Sequence, residues 1–364
     1  MSGIEHIHGG NLTRAALKYG FQPDQFVDFS SNINPLGPPP AVPAAVTANL
    51  DRICHYPDPD CAELRGVLAG YLRTRPGYLL MGNGTAELIY LLVRVVKRRR
   101  ALIPVPTFSE YGLAVLSLHG LVRELPMAAD DGFDLPLQQV LDALPGADIL
   151  FLCNPNNPTG RLIPPESMRE ILEFARNKEI MVVVDEAFMD FVPDGERFSV
   201  LRLVGRYPNL VVLYSLTKFF GIPGLRLGAL AATENLVSQM ACARDPWSVN
   251  VLAQVAGVAA LRDREHMDTT RKLIQTEKRF LFAGLSGLPG IKPLPGAANF
   301  LLVDIGESGF TSDNLAELTG RRGVLIRDCK SFSGLAGQYI RLAVRTRPEN
   351  EKLLQVMRQI LRGE

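Results

Sequence analysis

Charge of one sign is what this chain most conspicuously lacks. Its 364 residues carry 39 Lys and Arg against 38 Asp and Glu, a formal net charge of +1. Nothing global attracts a polyanion or an anionic membrane, so any handling of phosphate must be local. Cysteine is sparse: Cys54, Cys61, Cys153, Cys242 and Cys329. No pair has the C-x-x-C spacing of a metal or redox site, and an odd number suits free thiols in a reducing cytoplasm. The histidines have no metal-ligand spacing, so no metal is expected. No apolar run approaches the ~18 residues of a membrane span. The opening Met-Ser-Gly-Ile-Glu-His has no basic run followed by an apolar stretch, so no secretory signal is read there. A cytoplasmic protein with no membrane partner is expected. Internal repeats and low-complexity tracts are absent as well.

What is present suits a globular chain: 47% hydrophobic and 21% charged residues, enough for a large core and a smaller second domain. Residues 32–43 are rich in proline and read as an extended, rigid connector. From about 79 to 232, short apolar runs alternate with helical patterns. Strands are expected at 101–105, 148–153, 180–185, 210–214 and 227–231, with helices at 86–96 and 166–178 among them. Alternating β and α units imply a mostly parallel sheet covered on both faces. The last third reads as a compact α+β unit. It has a helical region at 250–285, a strand at 300–304, a helix at 312–320, strands at 324–327 and 339–343, and a final helix at 349–362. The expected division is an arm over 1–45, a large domain over 46–250 and a small domain over 251–364. The run Lys97-Arg98-Arg99-Arg100 has no interleaved aromatics and reads as a solvated helix end, so no nucleic-acid partner is expected.

Four local signals carry chemistry. Gly82-Asn83-Gly84-Thr85-Ala86-Glu87 precedes an apolar helix. Glycines turn the backbone tightly, and the helix start offers free N–H groups and a positive dipole end to a phosphate-sized anion. A plain helix cap is the blander reading of this segment alone. Asn154-Pro155-Asn156-Asn157-Pro158-Thr159-Gly160 follows a buried strand, where open α/β sheets bind ligands; alternatively it is a proline-stiffened loop. Val182-Val183-Val184-Asp185-Glu186 puts an acid at the end of an apolar strand, where a carboxylate needs a partner and a cationic ring nitrogen would supply one. A helix cap is the competing reading. In Tyr214-Ser215-Leu216-Thr217-Lys218, followed by a glycine-rich tail reaching Arg226, a lysine lies just past a strand among hydroxyls and aromatics. Desolvation there lowers its pKa and makes the amine a nucleophile towards a carbonyl.

The succession of the four resembles the fold-type I pyridoxal 5′-phosphate (PLP) enzymes of the aminotransferase superfamily, over nearly the whole chain. The resemblance implies an aspartate-aminotransferase-like α/β fold and a cofactor site. Lys218 would hold PLP as a Schiff base and Asp185 would pair with its ring nitrogen. Asn157 would bond the phenolate oxygen and Phe108 would stack on the ring. Gly84, Thr85, Ser215 and Arg226 would hold the phosphate. Tyr56, in His55-Tyr56-Pro57-Asp58, would reach the phosphate of a neighbouring subunit, which requires a homodimer.

Within the superfamily the chain is similar to the histidinol-phosphate aminotransferases, with departures. His8-Gly9-Gly10-Asn11, Phe29-Ser30-Ser31-Asn32, Pro246-Trp247-Ser248 and Leu325-Ile326-Arg327-Asp328-Cys329 resemble the L-threonine-O-3-phosphate decarboxylases of cobalamin biosynthesis. That family implies a phosphorylated amino acid as substrate. Arg341 would grip its α-carboxylate with two parallel hydrogen bonds. His8, Arg327, Lys330 and Arg345 would meet its phosphate, with Ser31, Asn32 and Asn157 also in contact. A histidinol-phosphate-type aminotransferase is the alternative, and a catalytically dead binding protein on the same fold is a third reading, opposed by Lys218 and Asp185.

Overall fold

The computed structural model describes residues 9–364. In chain order the first elements are α1 (Leu12–Tyr19), β1 (Val27–Asp28), α2 (Ala41–Ala48) and α3 (Ala62–Leu72). The central part holds β2 (Leu79–Gly82), α4 (Thr85–Val96), β3 (Arg100–Val105), α5 (Glu110–Ser117), β4 (Leu121–Pro126), α6 (Leu137–Ala143), β5 (Ile149–Cys153), α7 (Pro165–Asn177), β6 (Met181–Asp185), β7 (Leu210–Ser215) and β8 (Gly228–Ala231). After α8 (Glu234–Ala243), α9 (Val251–Arg262) and α10 (Arg264–Ser286) come β9 (Lys292–Pro293), β10 (Phe300–Asp304), α11 (Ser312–Gly320), β11 (Val324–Leu325), β12 (Arg327–Asp328), β13 (Tyr339–Ala343) and α12 (Arg347–Leu361).

The central strands form a seven-stranded sheet in the order β2-β8-β7-β6-β5-β3-β4. β4, β3, β5, β6 and β7 run parallel, while β8 lies antiparallel to both β7 and β2. The strands read as continuous apolar runs because helices cover both faces. Alternate residues of β6 show it: Val182 and Val184 join a core with Ile171 and Leu172 of α7, while Val183 faces Leu88, Leu92 and Met240 of α4 and α8. A second sheet, β12-β13-β10-β9, is antiparallel. The first strand does not belong to the central sheet. β1 pairs in parallel with β11, Val27 opposite Val324, and the Phe29 carbonyl accepts from the Ala343 N–H at 2.9 Å.

Two expectations are corrected. The proline-rich connector does not stay extended to residue 43, because α2 begins at Ala41. Pro43 lies in its first turn, where a missing N–H costs nothing. The single strand expected at 324–327 is two, β11 and β12, interrupted at Ile326 and paired with β1 and β13 respectively.

Candidate active site

Parallel register brings the chemistry to one edge. Cys153 at the end of β5 faces Asp185 at the end of β6, and Asp185 faces Leu213 near the end of β7. The loop after β5, the acid of β6 and the Ser215-Leu216-Thr217-Lys218 turn therefore emerge together, at the carboxyl ends of the strands.

The asparagine loop is tied down by its own amides. Asn156 is buried; its Oδ1 accepts from Thr107 Oγ1 at 2.7 Å, and its Nδ2 donates to the Pro106 carbonyl and to Thr159 Oγ1, both at 2.9 Å. Asn154 Oδ1 accepts from the Ile163 N–H at 2.9 Å. With those two committed to the loop, Asn157 turns inward, and its Oδ1 accepts from Arg341 Nη1.

Asp185 is 4% exposed. Its Oδ1 accepts from the Ala187 N–H at 2.9 Å and its Oδ2 from Tyr111 O–H at 2.7 Å. Burial raises its pKa, and these neutral donors and the more distant Lys218 only partly offset that. Tyr111, which the sequence did not single out, stacks on Phe151 at 5.2 Å and meets the edge of Phe108 at 5.5 Å. No helix was expected at 110–117, so nothing in the sequence linked Tyr111 to Asp185.

Lys218 Nζ donates to Thr217 Oγ1 at 2.9 Å, and that hydroxyl lies 2.8 Å from Ser215 Oγ. Burial pulls the Lys218 pKa down to about 8; the Asp185 carboxylate pulls it up, and Arg226 and Arg341 push it down. A substantial neutral fraction near pH 7 to 8 makes it a nucleophilic amine.

A glycine-lined corner adjoins it. Gly228 sits opposite Gly82 on one side and Ser215 on the other. A Cβ on Gly228 would lie 2.8 Å from the Thr85 nitrogen at the start of α4. Gly84 caps that helix with φ +82°, and a Cβ there would lie 2.6 Å from Arg226 Nη2. Gly84, Thr85, Ser215 and Arg226 thus converge on a helix N-terminus, a ready anion site.

The opposite wall comes from the ends of the chain. Arg341 on β13 and Arg327 on β12 are directly opposite in antiparallel register, and both are buried. Opposed residues share a face. Arg341 Nη2 donates to the Ser30 carbonyl at 2.9 Å, while its Nε has no partner among the described residues. Burial pushes its guanidinium down to about 10, and Arg327 adds like-charge pressure. Arg327 Nη2 donates to Ser331 Oγ at 2.8 Å and its guanidinium lies over Phe332. Asp28 organises the arm: Ser30 Oγ and Ser31 Oγ donate to its two oxygens at 2.6 and 2.5 Å. Asn32 is buried, and its Oδ1 lacks a partner among the described residues.

Not every expected residue joins this site. Lys330 is exposed and pairs with Asp313 at 3.0 Å. Arg345 is held by Glu349 at 2.6 Å and by the Asp28 carbonyl, a role in the start of α12. Tyr56 is 79% exposed and stacks on Trp247 at 4.5 Å. His8 lies outside the described residues. Among the described residues no His, Cys, Asp and Glu cluster could hold a metal, and no helix is long and apolar enough to cross a membrane.

Comparison with known proteins places this arrangement. A family model described as aminotransferase class I and II matches residues 24–357. The chain belongs to that family. A threonine-phosphate decarboxylase of Salmonella typhimurium is 39% identical, covering 100% of this chain and 99% of the relative. The crystal structure of L-threonine-O-3-phosphate decarboxylase from Porphyromonas gingivalis superimposes with TM-score 0.81 at 26% identity, covering 92% of this chain and 99% of that one. A histidinol-phosphate aminotransferase from Sinorhizobium meliloti in complex with pyridoxal-5′-phosphate has TM-score 0.87 at 22% identity, covering 99% and 96%, and shares the fold.

The cofactor of the family is PLP, and the residues present fit it. Lys218 offers a desolvated amine to an aldehyde. Asp185 is a buried acid whose hydrogen-bond donors among the described residues are neutral, suited to a cationic ring nitrogen. The corner at Gly84 suits a phosphate, and a side chain there would fill it.

Proposed function

We propose that this chain is a PLP-dependent decarboxylase that converts L-threonine O-3-phosphate to (R)-1-amino-2-propanol O-2-phosphate and CO2, a step of cobalamin biosynthesis. The observation that carries the reading is the pair of buried arginines, Arg327 and Arg341, opposed on neighbouring strands across from Lys218 and Asp185. Two adjacent buried guanidinium groups suit a substrate that carries two anions, and this one does. Similarity to the Salmonella decarboxylase along the whole chain supports it.

PLP, when bound, supplies the electron sink for the pair released from Cα. The chain does the rest. Lys218 holds the cofactor, Asp185 keeps its ring nitrogen protonated, and Asn157 bonds its phenolate oxygen. Phe108 covers the ring, and Gly84, Thr85, Ser215 and Arg226 hold its phosphate. Arg341, braced by Asn157 and the Ser30 carbonyl, takes the substrate carboxylate. Arg327 takes the substrate phosphate, with His8, Ser31 and Asn32 around it. The same electron sink would serve loss of either group from Cα, so the choice falls to this chain's residues. Residues that orient the two anions therefore choose between losing CO2 and losing the α-proton. Lys218 Nζ, with its pKa near 8, can return a proton to the carbon that loses CO2.

The working unit in this reading is a cytoplasmic homodimer. Tyr56, Trp247, Leu50 and Ile53 are exposed, which supports a contact surface there and a Tyr56 that serves the neighbour's phosphate corner. Within each chain, an arm over 1–45 closes the substrate side, 46–250 carries the cofactor and 251–364 supplies the arginines. Product analysis tests the function. CO2 and aminopropanol phosphate from phosphothreonine are expected. Transamination of histidinol phosphate with a 2-oxoacid, without CO2 from phosphothreonine, would replace this reading with the aminotransferase one.

A further inference from the structure

The long helix α10 half-buries a cation, Lys278, that no carboxylate balances among the described residues. Lys278 Nζ donates to three consecutive carbonyl oxygens, those of Gly296, Ala297 and Ala298, at 2.9, 3.0 and 3.1 Å. Glu277, its neighbour in sequence, is taken by Arg347 and Asn350. Burial pulls the Lys278 pKa down to about 8. An ammonium has three donors and no acceptor, so all of its bonding capacity goes into one short stretch of backbone. Burying such a group is costly, and an apolar side chain of equal length would fill the same space without that cost. Packing therefore does not account for a lysine at this position.

The clamped stretch touches the site at both ends. On one side, the Ala297 N–H donates to the Gly160 carbonyl at 2.7 Å. The two backbones run in contact: a Cβ on Gly160 would lie 2.9 Å from Gly296 Cα, and one on Gly296 3.2 Å from Gly160 Cα. The Gly160 N–H in turn closes on the Asn156 carbonyl at 2.6 Å, fixing the turn that contains Asn157, the partner of Arg341. On the other side comes Asn299, fully buried, whose Nδ2 donates to the Asn32 carbonyl at 3.1 Å. Asn32 and Asn299 each keep a buried Oδ1 with no partner among the described residues.

We propose that Lys278 is a positioning residue, which fixes the backbone of 296–298 so that Asn157 and Asn32 hold the geometry in which Arg341 grips the substrate. It touches neither cofactor nor substrate. The proposal rests on the assignment of Arg341 to the substrate carboxylate and of Asn157 to the cofactor's phenolate oxygen. Two readouts on the holoenzyme keep its fate separate from that of the decarboxylase reading. The first is the KM for L-threonine O-3-phosphate. The second is the pH midpoint of the cofactor's visible absorbance band, measured with no substrate.

Lys278→Met should raise KM about tenfold while kcat changes less than about threefold, the pattern of lost ground-state binding. It should also move the band midpoint by about half a pH unit, because Asn157 is no longer held against the ring oxygen. Lys278→Arg, which keeps donors for the carbonyls, should recover most of both. Unchanged KM and midpoint in a folded Lys278→Met protein would overturn the proposal. So would failure of Met, Gln and Arg variants alike to fold, since the amine would then be a stability element. If the wild type does not turn over phosphothreonine, the decarboxylase reading falls and the midpoint shift alone decides the case for Lys278.

Discussion

The two walls of the site are built in opposite ways. Along the strand ends of the central sheet, polar side chains satisfy one another: Asn156 with Thr107 and Thr159, Tyr111 with Asp185, Thr217 with Ser215 and Lys218. Across the cleft, Asn32 Oδ1, Asn299 Oδ1 and Arg341 Nε are buried without partners among the described residues. Buried polar groups are nearly always bonded, so a cluster of exceptions marks spare capacity. The cofactor wall is finished before anything binds, which suits a resident group. The substrate wall is left open, which suits a molecule that comes and goes.

Breaking the cofactor wall at its centre should have the largest effect. Lys218→Ala should abolish the band near ~420 nm expected of the lysine-bound cofactor and cut turnover by about 10⁴-fold or more, as removal of a covalent catalyst does. Retention of both band and rate would dismantle the assignment.

Stability gives the next effect. Burial pushes the Glu186 carboxyl up to about 7 from its ordinary 4.5, although Ser199 O–H and the Val200 N–H both donate to it. A raised folded-state value means that folding favours the protonated form. The contribution is full below pH 4.5 and lost as pH rises through about 7. Over that window the wild type should lose up to about 3 kcal/mol. Denaturant titrations at successive pH values should show the loss flattened in Glu186→Gln. An unflattened profile would remove Glu186 as its source.

The substrate wall should respond in KM. Arg341→Ala and Arg327→Ala each remove a charge-assisted contact, about 1.5–3 kcal/mol, or roughly ten- to a hundredfold in KM. Unphosphorylated threonine separates them: Arg341→Ala should weaken it as well, and Arg327→Ala should hardly affect it. Equal losses for both substrates in both variants would erase the distinction between a carboxylate and a phosphate subsite. Smallest of all, Tyr111→Phe removes one of the two donors to Asp185 among the described residues and should lower kcat by up to about tenfold. An unchanged kcat would show that the Ala187 N–H alone holds the acid in place.

The same contrast sets what could be read in the sequence. Lys218, Asp185 and Asn157 each sit just past or at the end of an apolar strand, in contiguous motifs, and parallel register then aligns them. Tyr111, Ser30, Asn299 and Lys278 were not legible because their partners are remote: Tyr111 lies 74 residues from Asp185, and Ser30 lies 311 from Arg341. Lys330 and Arg345 have local partners that the sequence did not show. Both are near the arginine strand in sequence, but Asp313 on α11 and Glu349, one helical turn on in α12, hold them instead. The break at Ile326 was hidden because each two-residue strand takes its partner from a different part of the chain.

The central claim, that these two walls expose the carboxylate rather than the α-hydrogen to the electron sink, is tested most directly by running the reaction in D2O. L-threonine O-3-phosphate should give aminopropanol phosphate with a single deuterium on the amine-bearing carbon, its original hydrogen retained, and recovered substrate should carry none. Loss of that hydrogen, seen as deuterium in recovered substrate or as a keto product, would show that the site presents Cα–H and would contradict the account.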